Sequence, residues 1–185
     1  LLRAALVLGG CATHWPESAR LNPQIIPSNQ QYYSGNRITM EGVDKREAAY
    51  VFSIKKKEKA PVLVNSSQPL NNLLAEKLAE GLRSQGLEVG NSGTTNLTLA
   101  ISTAAVTVEE KTFTYVTKSK VSLQVIADFQ GNKLTKQFNM SSSKEEPGEP
   151  TMADLESTLN QQLGSVLQQI MADEALRGYL KGQPS

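Results

Sequence analysis

The stretch FTYVTKSKVSLQVIADFQGNKLTKQFNM, Phe113 to Met140, decides the fold. Phe113, Tyr115, Val121, Leu123, Val125, Ala127 and Phe129 fall on one face of an extended chain. Thr114, Lys118, Lys120, Gln124 and Asp128 fall on the other. Alternation of period two reads as strand. One apolar face and one wet face reads as an antiparallel sheet covered on a single side. Gly131-Asn132 fits a two-residue hairpin turn, after which Leu134, Phe138 and Met140 run back opposite Lys133, Thr135, Gln137 and Asn139.

The flanking segments supply the rest of the layer. Leu97, Leu99 and Ile101 alternate with Thr98, Ala100 and Ser102, and Ala104, Val106 and Val108 continue one step out of phase. That slip predicts a bulge near Thr103. Earlier short strands are expected over Arg37–Gly42, Tyr50–Ile54 and Val62–Val64. Asp44-Lys45-Arg46 and the basic run Lys55–Lys59 are the turns between them. Leu70, Leu73, Leu74, Lys77, Leu78, Gly81 and Leu82 recur at steps of three and four, which predicts a helix over 68–85. Ser67 is its expected cap, Pro69 sits in its first turn, and Gly86 stops it. Ser141–Pro150 reads as a polar loop. Thr151 with Asp154 then reads as a capped helix start, followed by the stripe Leu155, Leu159, Leu163, Val166, Leu167, Ile170 as far as about Asp173. One last turn is expected over Ala175–Leu180. The expectation is a two-layer α+β domain over residues 37–182, a mostly antiparallel sheet with two amphipathic helices on one face.

The N-terminus reads differently. Residues 1–10 end in an apolar run, Ala4–Leu8, and two glycines, which is the tail of a secretory signal. Its charged beginning is expected upstream of Leu1. Leu8-Gly9-Gly10-Cys11 resembles the bacterial lipobox, in which the chain is cut before the cysteine and its thiol is acylated. By that resemblance Leu8, Gly9 and Gly10 serve processing and Cys11 carries the lipid. Several acyl chains anchor stably where one is marginal. Ala12, in place of the aspartate that often retains lipoproteins in the inner membrane, points to the outer membrane and the periplasm. Residues 11–36 hold three prolines and several amides, and they read as a flexible tether with a reach of roughly 28 Å. Within it, Trp15 is expected among headgroups. Ile25-Ile26 and Tyr32-Tyr33 form either an edge strand on the domain or a partner-binding patch.

Composition narrows the chemistry. The chain has 185 residues and 20.1 kDa, which fits one domain with an extension. Its 19 basic and 18 acidic residues give a charge of +1, no field to gather nucleic acid. One Cys and one His leave no intrachain disulfide and no Cys/His zinc site. No nucleophile elbow, phosphate loop or zinc-protease helix occurs. No cofactor and no metal are expected. Glu109-Glu110 and Glu145-Glu146 lie in polar turns as solvated charges, and Lys55–Lys59 reads as a hairpin turn before a headgroup contact. Asp44-Lys45-Arg46 reads first as a structural turn with a surface ion pair and second as a turn that projects Arg46 toward a partner; with Lys118 and Lys120 on the wet strand face it makes up the candidate partner contacts.

Several stretches resemble the YajG family of bacterial lipoproteins. They are the lipobox, the Asp44-Lys45-Arg46 turn, LLAEKLAEGLRSQGLEVG followed by NLTLAIS (Leu73–Ser102), QGNKLTKQF (Gln130–Phe138) and QQIMADEALRGYLK (Gln168–Lys181). The resemblance implies an outer-membrane lipoprotein with a periplasmic α+β domain, and it brings no catalytic residues. The expected function is a non-enzymatic interaction or accessory module for an envelope complex. The alternative is a lipid- or peptide-binding protein with a groove between helices and sheet.

Overall fold

The three longest strands set the frame. In the structure, a computed structural model that describes residues 14–182, β6 (Thr95–Glu110), β7 (Tyr115–Phe129) and β8 (Asn132–Glu146) form an antiparallel meander. Leu97, Leu99, Ile101, Ala104, Val106 and Val108 on β6 are buried, as are Val121, Leu123, Val125 and Ala127 on β7. The expected bulge is present: pairing passes from Ile101–Leu123 to Thr103–Ser122, leaving Ser102 as the extra residue. The tight turn is Gln130-Gly131, one place earlier than expected. Both residues have positive φ, 53° and 88°, as a type I′ hairpin requires. Phe113 lies outside the strand, in the β6–β7 turn, and is 87% exposed. β8 does not end at Met140 but stays paired with β7 as far as Glu146. Backbone pairing needs no apolar side chains on an edge strand, so composition hides these last residues.

The remaining strands bear out the expectation of a mostly antiparallel sheet only in part. β2 (Arg37–Asp44) and β3 (Tyr50–Lys55) lie end to end along the same edge of β6, and both run parallel to it. β2 covers Thr95–Ile101, and β3 covers Val106–Glu109. β4 (Val62–Ser66) returns antiparallel to β3. β1 (Ser18–Ala19) joins β4, and β5 (Glu88–Val89) joins β2, both in parallel. The long pairings are antiparallel and the others, apart from β3–β4, are parallel. A half-buried strand alternates in either sense, so periodicity leaves the direction open.

Three helices cover one face. α1 (Leu70–Ser84) starts two residues later than expected, with Pro69 at the cap position and no side-chain cap. Ser67 is engaged elsewhere: its N–H donates to Ala19 O at 2.8 Å. The helix ends as expected, Gly86 N–H donating to Arg83 O and Leu87 N–H to Leu82 O. α2 (Met152–Ala172) opens on the expected reciprocal cap, Thr151 Oγ1 accepting from Asp154 N and Asp154 Oδ2 from Thr151 N. The closing segment is a full third helix, α3 (Glu174–Lys181), capped by Asp173. The apolar stripes of α1 and α2 meet the sheet over Leu74, Leu78, Leu82, Leu159 and Leu163, all fully buried.

Residues 14–36 are not a free tether. They form a strap laid along the helices. Trp15, Ala19, Leu21 and Tyr33 join the core cluster, so Trp15 does not stand ready for headgroups. Across α2 the strap is held by a ladder. Arg20 N donates to Glu156 Oε1 (2.8 Å), Asn22 N to Asn160 Oδ1 (2.8 Å) and Ile26 N to Gln168 Oε1 (3.1 Å). Strap residues two apart in extended chain rise about 6.6 Å, and helix residues four apart rise about 6 Å, so the rungs stay in step. Where residue 24 meets residue 164, only glycine fits: a Cβ on Gly164 would stand 2.3 Å from Gln24 O. On the α1 side, Gln68 Nε2 donates to Leu21 O, Ser28 N to Ser84 Oγ, and Tyr32 and Tyr33 N–H to Gln85 O. Neither tyrosine lies in a strand; Arg177 of α3 stacks over the Tyr32 ring at 3.8 Å. Ile25 packs against the core, whereas Ile26 is exposed.

Candidate functional site

The sequence candidates converge on the sheet face that no helix among the described residues covers. Lys118 and Lys120 stand exposed on β7. Beside them, Ser122, Gln137 and Asn139 share hydrogen bonds of 2.6 and 2.7 Å across β7 and β8. Thr39 and Asn96 bond across β2 and β6. Lys120 pairs with Ala105, and Ala105 belongs to the floor of an open depression of about 440 Å³. Its rim is the loop between β2 and β3, with Lys45, Arg46 and Glu47. Two clusters some 75 positions apart in sequence therefore share one side of the molecule.

Their roles differ. Lys45 and Glu47 are exposed at the rim. The Arg46 side chain is only 8% exposed and donates inward, Nε to Asp44 Oδ1 (2.9 Å), Nη2 to Asp44 Oδ2 (2.7 Å) and Nη1 to Tyr50 O (3.3 Å). A two-toothed guanidinium–carboxylate bond is the strong, directional kind. Arg46 thus closes the loop that carries the chain from β2 to β3, and Lys45 is the outward cation. Hydrogen bonds from Arg46 hold the Asp44 carboxyl below the usual carboxylate range, partial burial opposes them, and the Arg46 charge adds to the lowering. A carboxylate with a depressed pKa stabilises the fold above its unfolded pKa of about 3.9, and that contribution is lost as pH falls through the folded value. Asp44→Asn is therefore expected to cost about 1 kcal/mol at pH 7, a screened value for a group a third open to water. The gap to wild type should close below about pH 4. Urea midpoints of both proteins at pH 7 and pH 3 check this; a gap that persists in acid would contradict the ion-pair account.

The other candidates are tied into the frame. Glu109 pairs with Lys111 at 2.8 Å, Glu110 accepts from Lys57 N, and Glu145 accepts from Thr114 Oγ1. Lys56 in the basic turn pairs with Glu149 at 2.8 Å. Among the described residues, no three or more His, Cys, Asp and Glu are placed to hold a metal ion. No described helix is long and apolar enough to cross a membrane. Cys11 and the processing residues Leu8, Gly9 and Gly10 lie outside the described residues. The space a groove between helices and sheet would need is filled by the buried leucines of α1 and α2 against Ile101 and Leu123. Two further depressions, 610 Å³ beside the strap and 660 Å³ at the start of α2, are open to solvent and lie outside the core. The strap ladder, Glu156, Asn160, Gly164 and Gln168, is not among the candidates legible in the sequence. Its signal was their four-residue spacing on α2 against an inward alternation of Ala19, Leu21, Pro23 and Ile25.

The described residues form an α+β domain with helices on one face of the sheet and a polar surface on the other. The chain belongs to the family described as "Uncharacterized lipoprotein", the YajG type, which matches it over residues 23–181. No curated protein sequence matches the chain. Among solved structures, a Xanthomonas campestris protein of family DUF330 aligns with a TM-score of 0.66 at 9% identity, covering 90% of this chain and 98% of that one. A neuraminyllactose-binding hemagglutinin homolog from Helicobacter pylori aligns at 0.49 and 11% identity, over 91% and 94%. Rare lipoprotein B from Shewanella oneidensis aligns at 0.38 and 12%, over 76% and 97%. The first shows a shared fold, and the two looser likenesses add nothing to it.

Proposed function

We propose that this lipoprotein is anchored in the outer membrane through acylated Cys11, faces the periplasm, and serves an envelope complex as a non-enzymatic accessory module. The observation that carries the reading is the uncovered sheet face. The three helices of the described residues pack on the opposite side, and Lys118, Lys120 and the Lys45 rim remain exposed together. Lys133, Lys136 and Lys144 along β8 guard that edge against indiscriminate strand pairing, so the face rather than the edge is the contact. Exposed cations of this kind steer and select an acidic partner more than they hold it.

Photocrosslinking groups at positions 45, 118 and 120 in cells are expected to trap one discrete envelope protein, and a group at Glu76 on α1 should trap none. Smears or silence from all three positions would count against the reading. The anchor is tested separately. Cys11→Ala is expected to move the protein from the membrane fraction to the periplasmic extract, and continued sedimentation with outer membranes would refute acylation at that residue.

A further inference from the structure

We propose that one end of the domain docks on the bilayer surface, with Phe113 as the inserted side chain; the inference rests on the anchor at Cys11 proposed above. Three turns meet at this end. The β3–β4 turn joins the β6–β7 turn through Lys57, whose N–H donates to Glu110 Oε2 and whose Nζ donates to Thr112 Oγ1. The loop between β8 and α2 joins them through the Lys56–Glu149 pair. Two independent registers bring the N-terminus to the same end. β1 pairs in parallel with β4, so the chain before Ser18 heads toward the start of β4 and its turn. The strap ladder runs the same way, Ile26 lying at Gln168 and Arg20 at Glu156, toward the first turn of α2.

Distance then selects the end. Buried Trp15 lies four positions past Cys11, a span of at most about 14 Å. β7 alone, fifteen residues long, separates this end from the Gln130-Gly131 turn by about 46 Å. An anchor so short holds the near end against the headgroups and keeps the far end away. The near end is dressed for that place. Phe113 projects from the turn at 87% exposure, and Val62 and Leu63 at the start of β4 are 40% and 53% exposed. Among the described residues these three and Ile26 are the exposed large apolar side chains, and three of the four sit at this end. Phe and Leu side chains bury favourably at the boundary between headgroups and acyl chains. Lys55, Lys57, Lys59 and Lys111 stand beside Glu58, Glu109 and Glu110, so the charges nearly balance and a zwitterionic surface suffices.

The test uses the acylated full chain, reconstituted in phosphatidylcholine vesicles with brominated acyl chains. Phe113→Trp is expected to lose at least half of its added emission to bromine quenching. Lys133→Trp, at the far end, should lose none. Quenching of neither tryptophan, in protein that still floats with the vesicles, overturns the docking and leaves the anchor standing. Equal quenching of both overturns it too, since the domain would then lie flat. Wild-type chain that does not float refutes the anchor, and the docking falls with it.

Discussion

Replacing Trp15 by alanine should destabilise the whole domain by about 3 kcal/mol, the low end for deleting a large buried aromatic. A tether residue would cost nothing. Trp15 is 8% exposed, within the same cluster as Val64 and Leu155. Its Nε1 is buried without a hydrogen-bond partner, which lowers what the indole contributes. Trp15→Phe, which keeps the ring packing and removes that donor, should stay within about 1 kcal/mol of wild type. With a urea slope of about 2 kcal/mol per molar, the alanine variant's midpoint falls by about 1.5 M. Circular dichroism must report it, because Trp15 is the only tryptophan in the chain. Trypsin gives a second reading. Arg20 is followed by Leu21, and its backbone N–H is held by Glu156, so the site should resist in wild type and open in the alanine variant. An unshifted midpoint with rapid cleavage after Arg20 would restore the tether.

The strap shows where sequence reasoning runs out. Periodicity finds elements that pair with themselves, as a helix does, or with strands of like rhythm. Ala19, Leu21, Pro23 and Ile25 do alternate, but among prolines and amides that signal loop. Their partner is a helix, met through amide side chains at every fourth position, and no local pattern marks that match. By contrast, the capped start of α2, the stop of α1 and the bulge at Ser102 were legible, because each is decided within a few residues. The parallel edge of the sheet was not. β2 and β3 look like any half-buried strands, and only the crossover through α1 sets their direction.

The candidate site divides along the same line. Lys118 and Lys120 were legible as outward residues because they interrupt an apolar rhythm on a long strand. Arg46 was legible as one half of an ion pair within its turn, but not as a buried brace that also reaches the Tyr50 carbonyl. Its partners, Asp44 and the carbonyl of Tyr50, lie within four positions, but a charged turn is the same string of letters whether its arginine points out or folds back. What folds it back is tertiary. Lys45 N–H is held by Ile101 O at the end of β2, and the chain must then step along β6 to resume pairing at Phe52.

That step gives the second large expected effect. β3 begins with an irregularity: Tyr50 pairs with Asn65 and Phe52 with Val64, so Val51 is an extra residue between them. In a regular strand, Val51 and Phe52 would face opposite sides, and one would be open to change. Here both are fully buried. Phe52→Ala is expected to cost about 4 kcal/mol, the usual loss for a buried phenyl group. Val51→Ala should cost about 2 kcal/mol through the same loss of packing. Amide exchange adds a spatial test. If Phe52 holds β3 on β6, its loss should speed exchange along Val62–Ser66 before it reaches β7, which β6 still pairs over its full length. Tolerance at either position would mean that β3 alternates normally and that the bulge is not what seats it. Uniform acceleration across the sheet would instead make β2 and β3 one cooperative unit with the meander, and the loop braced by Arg46 would be a rigid joint rather than a local seam.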